Sequence, residues 1–315
     1  MVSGNQSYPR VNLFCSEEWK GRAKELRIHT SRFVIERFRL LKVAKLRSGQ
    51  LADIETWPSA QDLDCPPELE GKGCDWVMYR KLASDDIPSH AGRGTVVTPY
   101  SYSPFLDLTC EVNVKKTVLS HLQRTERKIT REIGPLSLLE ANDTNKEKWY
   151  RTWRDYQIAY GRFGRQQLAM FRHWTTADQL PPWMKLMALQ AGDVTLAVGL
   201  FYMWGGTFYY YAPVMSPDPA LRRYGPGKLF VHKLIEFARK NDCLTFDFLQ
   251  GEHEYKFHWN PQLRQLYQCI VPLTFKGHVA LFLFQAKRWL RSRFGLAERY
   301  HGEGTVLPKL KEAIL

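Results

Sequence analysis

Residues 207–259 read TFYYYAPVM, SPDPALRRYGPGK, LFVHKLIEFARKND and CLTFDFLQGEHEYKFHW. They spell a strand, a loop rich in Gly, Pro and Arg, an amphipathic helix, a second strand and a charged turn. Within the loop, Arg222-Arg223-Tyr224-Gly225-Pro226-Gly227 fits R-x-x-G-x-G. A glycine-bearing turn at a helix start leaves backbone N–H groups open, with the positive end of the helix dipole behind them. That is a seat for phosphate or pyrophosphate. Pro226 suits the first helical position, where its missing N–H costs nothing. Leu229, Phe230, Leu234, Phe237 and Ala238 follow at helical spacing. Asn241 and Asp242 are expected to end the helix. Pro213 interrupts a strong strand and must mark a bulge or the place where pairing stops.

Working outward, strands are expected over 185–191 and 195–204, with Gly192-Asp193 as their hairpin turn. Gly205-Gly206 is a second turn leading into 207–215. Upstream, Ser103–Leu108 (SPFLDL) starts a unit. A helix over 117–133 follows, with Val118, Leu122, Ile129 and Ile133 on one face and Arg124, Arg127, Lys128 and Arg131 on the other. Leu136–Leu139 reads as a strand, and Thr144 with Glu147 as a capping box for a helix through Trp149, Trp153 and Ile158. Downstream of the 244–249 strand come a short helix, a strand over 265–273 and an amphipathic helix over 275–294. That last helix sets Val279, Phe282, Ala286, Leu290 and Phe294 on one face. Packing of this face on the protein body is the preferred reading, and peripheral contact with an anionic membrane the alternative. In the first hundred residues, helices are expected at 17–28 and 32–46, loops at 48–75, a strand at 75–82 and a linker from Gly92.

Net charge is +13 over 315 residues, and 44% of residues are hydrophobic. The composition is that of a globular protein and excludes a disordered one; the charge favours acidic partners. Six cysteines show no C-x-x-C spacing and are expected to be reduced thiols in a cytoplasmic protein. The N-terminus reads as no secretory signal, and no apolar run reaches bilayer-spanning length.

The order of strands, R-x-x-G-x-G loop, helix and strand resembles the GNAT acyltransferase fold. Phe246–Trp259 (FDFLQGEHEYKFHW), with the FLDL segment and the basic helix 117–133, narrows the likeness. Together they resemble the group that includes the cellulose-biosynthesis protein CelD and is related to the FemAB transferases. The resemblance covers residues 103–272. It implies an α+β fold with a mixed, mostly antiparallel sheet flanked by helices. It also implies a degenerate GNAT-like N-terminal half over 1–100, an acyltransferase domain over 101–273, and a basic helix and tail over 274–315. In the CelD-like group the glycine loop commonly reads S-P-G; here Gly225-Pro226-Gly227 stands nearer the ordinary acetyltransferase form.

The implied reaction is acyl transfer from acyl-CoA or an acyl carrier protein to a primary amine on a sugar, amino acid or peptide, with no metal. A tRNA-linked donor is the alternative, and a non-catalytic accessory role in exopolysaccharide synthesis a third reading. Gly225, Gly227, Lys228, Arg222 and Arg223 would hold the donor's phosphates. A free N–H near Ala212–Val214 would hold the oxyanion. Asp247 or Glu252 would act as base or amine anchor, with His253 in the same cluster and Tyr255 as the acid. Asp247, between Phe246 and Phe248 on a strand, should point away from both; pairing with Lys256 would be its structural alternative. Tyr202 and Phe208–Tyr211 would line a channel or simply pack.

Overall fold

The computed structural model describes residues 32–38, 41–47, 72–83, 94–163, 168, 172, 180, 182–251 and 253–293. The expected helix at 17–28, most of the 48–75 loop segment and Glu252 lie outside them. The chain divides into two compact units. One is Met1–Ser103 with Gln250–Glu252 and Arg264–Leu315; the other is Pro104–Leu249 with His253–Leu263.

In the first unit, β1 (Arg32–Phe38) and β2 (Leu41–Arg47) pair antiparallel. This replaces the helix expected over 32–46. Val43 and Ala44 are both buried, and β2 lies parallel to β3 (Trp76–Ala83), with Val43 opposite Trp76 and Ala44 opposite Val77. Pairing to β3 overrides a helical spacing that this short run satisfies equally well. The strand expected over 75–82 is β3. On its other side β3 pairs antiparallel with β10 (Gln262–Pro272).

The helix after β10, Phe275–Arg293, docks through its first turns. Thr274 Oγ1 donates to Asp75 Oδ1 (2.8 Å), and Lys276 Nζ reaches Asp75 Oδ2 (3.3 Å). The Trp76 indole donates to the Gly277 carbonyl (2.7 Å). Leu281 is buried, whereas Val279, Phe282 and Leu290, expected on a packed face, are exposed. The helix therefore rests on the opposite side from the one its apolar spacing selects. Close approach at Gly277 decides this: a Cβ there would lie 2.2 Å from the Asp75 carbonyl oxygen.

β4 (Val96–Asp107) runs from the first unit into the second and is longer than the SPFLDL segment. The second unit's strands follow the order β4, β9, β8, β7, β6, β5, where β5 is Leu136–Glu140, β6 Met184–Ala191, β7 Val194–Trp204, β8 Thr207–Met215 and β9 Thr245–Asp247. All neighbours are antiparallel except β8 and β9. Gly192, Gly205 and Gly206 take positive φ in the two hairpin turns, as their spelling requires.

Helix α1 (Lys116–Glu132) buries Leu122 and Ile129 and leaves Arg124, Arg127, Lys128 and Arg131 exposed. Helix α2 (Lys146–Ala159) starts one residue later than a Thr144 cap would place it. Asn145 occupies the cap, without a side-chain capping bond. Asn142 Oδ1 instead accepts from the Thr144 N–H and hydroxyl and from the Asn145 N–H, which displaces the Thr144/Glu147 capping box. Helix α3 (Pro226–Lys240) ends at Asn241, with Asp242 at φ 56°. Its buried Leu229, Phe230, Leu234 and Ala238 share one core with Leu122, Ile129, Phe201, Phe208, Tyr210, Phe246 and Phe248. The C-terminal helix Phe275–Arg293 is α4.

This is a GNAT-type α+β fold: a mixed, mostly antiparallel sheet with helices on its faces.

Candidate active site

β8 and β9 part early. They pair only at Thr207–Thr245, Phe208–Phe246 and Tyr209–Asp247, although β8 continues to Met215. The strand expected over 244–249 thus ends at Asp247. On its other side the chain keeps its β4 partner one position further, the Phe248 N–H donating to the Pro104 carbonyl (2.9 Å), and Leu249 then adopts φ 60°. On β8, the β7 register slips between Leu200 and Tyr202, just before Pro213. Pro213 itself stays in register opposite Gly199, and pairing with β9 has already ended at Tyr209; the bulge expected at the proline lies just before it, and the proline is not where pairing stops.

The glycine turn before α3 is built as the sequence indicates. Asp218 caps the helical turn Pro219–Arg222 by accepting from the Ala220 N–H (2.8 Å). Gly225 is the N-cap of α3 at φ 62°, ψ 45°, and Pro226 is the first helical residue. A non-glycine residue is strained at that φ, although a Cβ on Gly225 would meet nothing within 4 Å. No side chain caps the helix. The amides of Gly227 and Lys228 have no acceptor inside the helix, so an anion can take them. Gly227 abuts β8, since a Cβ there would lie 2.7 Å from Met215 Sδ.

The two arginines of the motif are separated. Arg223 donates to Tyr224 Oη (2.8 Å) and lies over its ring at 4.9 Å. The Tyr224 hydroxyl donates in turn to Glu132 Oε2 (2.9 Å) on α1. Hydrogen bonds from Arg131 and Tyr224 hold the Glu132 carboxyl below its ordinary range. Arg222 instead lies 5.8 Å from the Tyr160 ring, which Arg162 also approaches, at 5.3 Å.

Asp247 is fully buried and sits opposite in facing to Phe246 and Phe248, which share the α3 core. Its Oδ1 accepts from the Leu249 N–H (2.8 Å). The buried Lys256 ammonium donates to the carbonyls of Phe248 (2.8 Å) and Leu249 (3.1 Å). Both charged groups therefore brace the bend where β9 ends.

His253 and Tyr255 follow that bend. Their rings lie 6.0 Å apart and nearly parallel, and Tyr255 lies 6.3 Å from Tyr210 of β8. Burial, aided by the charges of Lys256 and Arg162, pushes the His253 pKa below its ordinary value. The ring is neutral at physiological pH and able to take a proton. Burial raises Tyr255 to about 12, which keeps its phenol protonated and able to give one. His258 lies near Lys228: its pKa is depressed by burial and by the Lys228 charge. His258 lies in the 3₁₀ segment Glu254–Trp259.

Sequence reading missed the contribution of α2 and the residues just after it. The buried Trp153 indole donates to the Ala212 carbonyl (2.8 Å), and Gln157 Nε2 reaches the same oxygen at 3.4 Å. Arg162 donates to the Pro213 carbonyl (3.2 Å). Gln157 Oε1 is buried and has no hydrogen-bond partner among the described residues. Only the aromatic spacing of α2 hinted at any of this. Among the described residues no group of three or more His, Cys, Asp or Glu could hold a metal ion.

Residues 117–257 match the family described as acetyltransferase (GNAT) domain. No curated protein matches the chain. Solved structures with similar folds include FemX, at 9% identity over 83% of this chain and 93% of that one, with a TM-score of 0.54. Another is the C-terminal domain (DUF2156) of a candidate lysylphosphatidylglycerol synthetase from Agrobacterium fabrum, at 12% identity over 81% and 86%, TM-score 0.53. A third is L-PGS from Bacillus licheniformis, at 10% over 85% and 95%, TM-score 0.51. At such identities the likeness is one of fold. The glycine turn at α3 and the early parting of β8 from β9 both fall inside the stretch 117–257 that matches the GNAT acetyltransferase domain, and the likeness to the solved structures is one of GNAT-type fold.

Proposed function

We propose that this protein transfers an acyl group from acyl-CoA to a primary amine. The observation that carries the reading is the open N-terminus of α3, with its left-handed Gly225, beside the stretch of β8 that β9 does not pair. The amides of Gly227 and Lys228 and the side chains of Lys228 and Arg222 would take the donor's pyrophosphate. The thioester would then lie along Ala212–Val214, where an N–H of β8 faces the oxyanion.

His253 takes a proton from the attacking nitrogen. The nitrogen lone pair forms the C–N bond, the C–S bond breaks, and Tyr255 protonates the departing thiolate before recovering its proton from solvent. Asp247 acts as a positioning residue that sets the bend carrying both groups. Gln157 Oε1 is available to accept an N–H of donor or acceptor. Glu252 remains the alternative base of this cluster.

Calorimetric titration with CoA tests the reading. Wild-type protein should bind, and Gly227→Val, which covers the turn, should weaken binding about tenfold or more. Equal binding by both refutes it.

A second reading, a FemAB-like aminoacyl-tRNA donor, is favoured by the exposed Arg124, Arg127, Lys128 and Arg131 on α1. Affinity for tRNA should then fall steeply with salt. Transfer that persists with acyl-CoA alone after RNase treatment would exclude it.

A further inference from the structure

Helix α4 touches its own unit by one side and presents a hydrophobic one to solvent. Gly277 and Leu281 are buried. Phe275, Phe282, Trp289 and Leu283 are 85%, 69%, 64% and 60% exposed, and Val279 and Leu290 are exposed as well. At about 100° per residue these six fall within about 120° of one another, nearly opposite Gly277 and Leu281. An exposed apolar stripe of this length is not the ordinary scatter of surface apolar residues.

Its charge says what covers it. Residues 275–293 contain five Lys or Arg and no Asp or Glu. Lys276, Lys287 and Arg293 are exposed, and Lys276 and Lys287 flank the stripe at about 100–120° from Phe275 on the helical wheel. A second copy of the same face would set Lys276, Lys287 and Arg293 against like charges. An anionic phospholipid surface complements both components at once, with rings in the acyl boundary and cations at the headgroups. The ends of the stripe carry Phe275 and Trp289, residue types suited to the interface. Among the described residues no helix is long and apolar enough to cross a membrane, so the helix would lie in the surface plane.

We propose that α4 docks the protein on anionic phospholipid bilayers, independently of the acyl-transfer reading. Flotation of the full chain with liposomes tests this. Phosphatidylcholine vesicles containing phosphatidylglycerol should carry the wild type, and pure phosphatidylcholine should carry much less. Phe282→Ser/Trp289→Ser should reduce flotation about tenfold or more. Lys287→Glu/Arg293→Glu should reduce it on anionic vesicles only. Circular dichroism and thermal unfolding, which do not depend on the exposed stripe, report whether each variant is folded.

Three results would overturn the proposal. They are absence of flotation on anionic vesicles, equal flotation with both vesicle types, and a wild-type dimer in size-exclusion chromatography that the serine variant converts to monomer. The last would assign the stripe to self-association.

Discussion

Replacing Gly277 by Ala sets two effects against each other. Alanine is the better helix former by about 1 kcal/mol, so an isolated α4 would gain. In the folded chain the added Cβ would lie 2.2 Å from the Asp75 carbonyl oxygen and 3.1 Å from Trp76 Cδ1. That oxygen belongs to backbone and already accepts from the Leu273 N–H at 2.9 Å, so the helix must back away by about 1 Å to reach ordinary contact. Retreat breaks the 2.7 Å Trp76–Gly277 bond, worth about 1–3 kcal/mol when it leaves a buried group unpaired. It also lifts Leu281 from a site where it is 2% exposed, at a cost of about 2 kcal/mol. The losses outweigh the gain by about 2–4 kcal/mol. At about 2–4 °C per kcal/mol for a domain of this size, the midpoint should fall by about 8 °C in thermal unfolding followed by circular dichroism. Hydrogen exchange should speed up across 276–290. A variant that melts at or above the wild-type temperature would show that the contact is not close and that the docking described for α4 is wrong.

Four further outcomes are expected. Because burial and two cationic neighbours hold His253 below its ordinary pKa, kcat/KM should be level through neutral pH. It should fall only as pH drops below the usual histidine range, and Arg162→Gln should move that acid limb upward. Tyr255→Phe should lower kcat about 10²-fold with KM unchanged in steady-state kinetics, since the lost group acts only on the leaving thiolate. At Asp75, burial opposes ionisation, but bonds from the Lys42 N–H, Thr274 and Lys276 hold its pKa below the ordinary aspartate value. Its contribution to stability is therefore full above the unfolded pKa of about 3.9 and is lost as pH falls through the lower folded value. An acid titration should show that loss in the wild type and not in Asp75→Asn. Gly225→Ala should cost about 1–2 kcal/mol in urea unfolding through its φ of 62°, and Gly225→Asn less.

The parts legible in sequence are those whose cause is local. Paired turn residues gave the β6–β7–β8 meander, and proline and glycine placed the start of α3 within a residue. The hairpin at 32–47 was not legible, because its strands are chosen by pairing to β3 rather than by their own periodicity. The end of β9 was hidden for a similar reason: Phe248 keeps a bond to Pro104 of β4, a residue 144 positions away, after β8 has parted from β9. In the site, the glycine turn at the start of α3 could be read directly. The roles of Arg162, Gln157 and His258 could not, because each arises where separate elements meet. The apolar spacing of α4 was visible, yet spacing alone does not say which side faces the protein; Gly277 settles that by permitting contact on the other.

The gap between β8 and β9 raises a hazard common to all sheets that stop pairing before their strands end. Bare backbone invites a foreign strand to add to it. Here the Ala212 carbonyl is already held by the Trp153 indole, the Pro213 carbonyl is held by Arg162, and Pro213 has no N–H to offer. An incoming strand finds few of the bonds that would reward it. The protein can thus keep a sheet parted without becoming a template for cross-chain polymerisation, and α2 guards solubility as well as shaping the site.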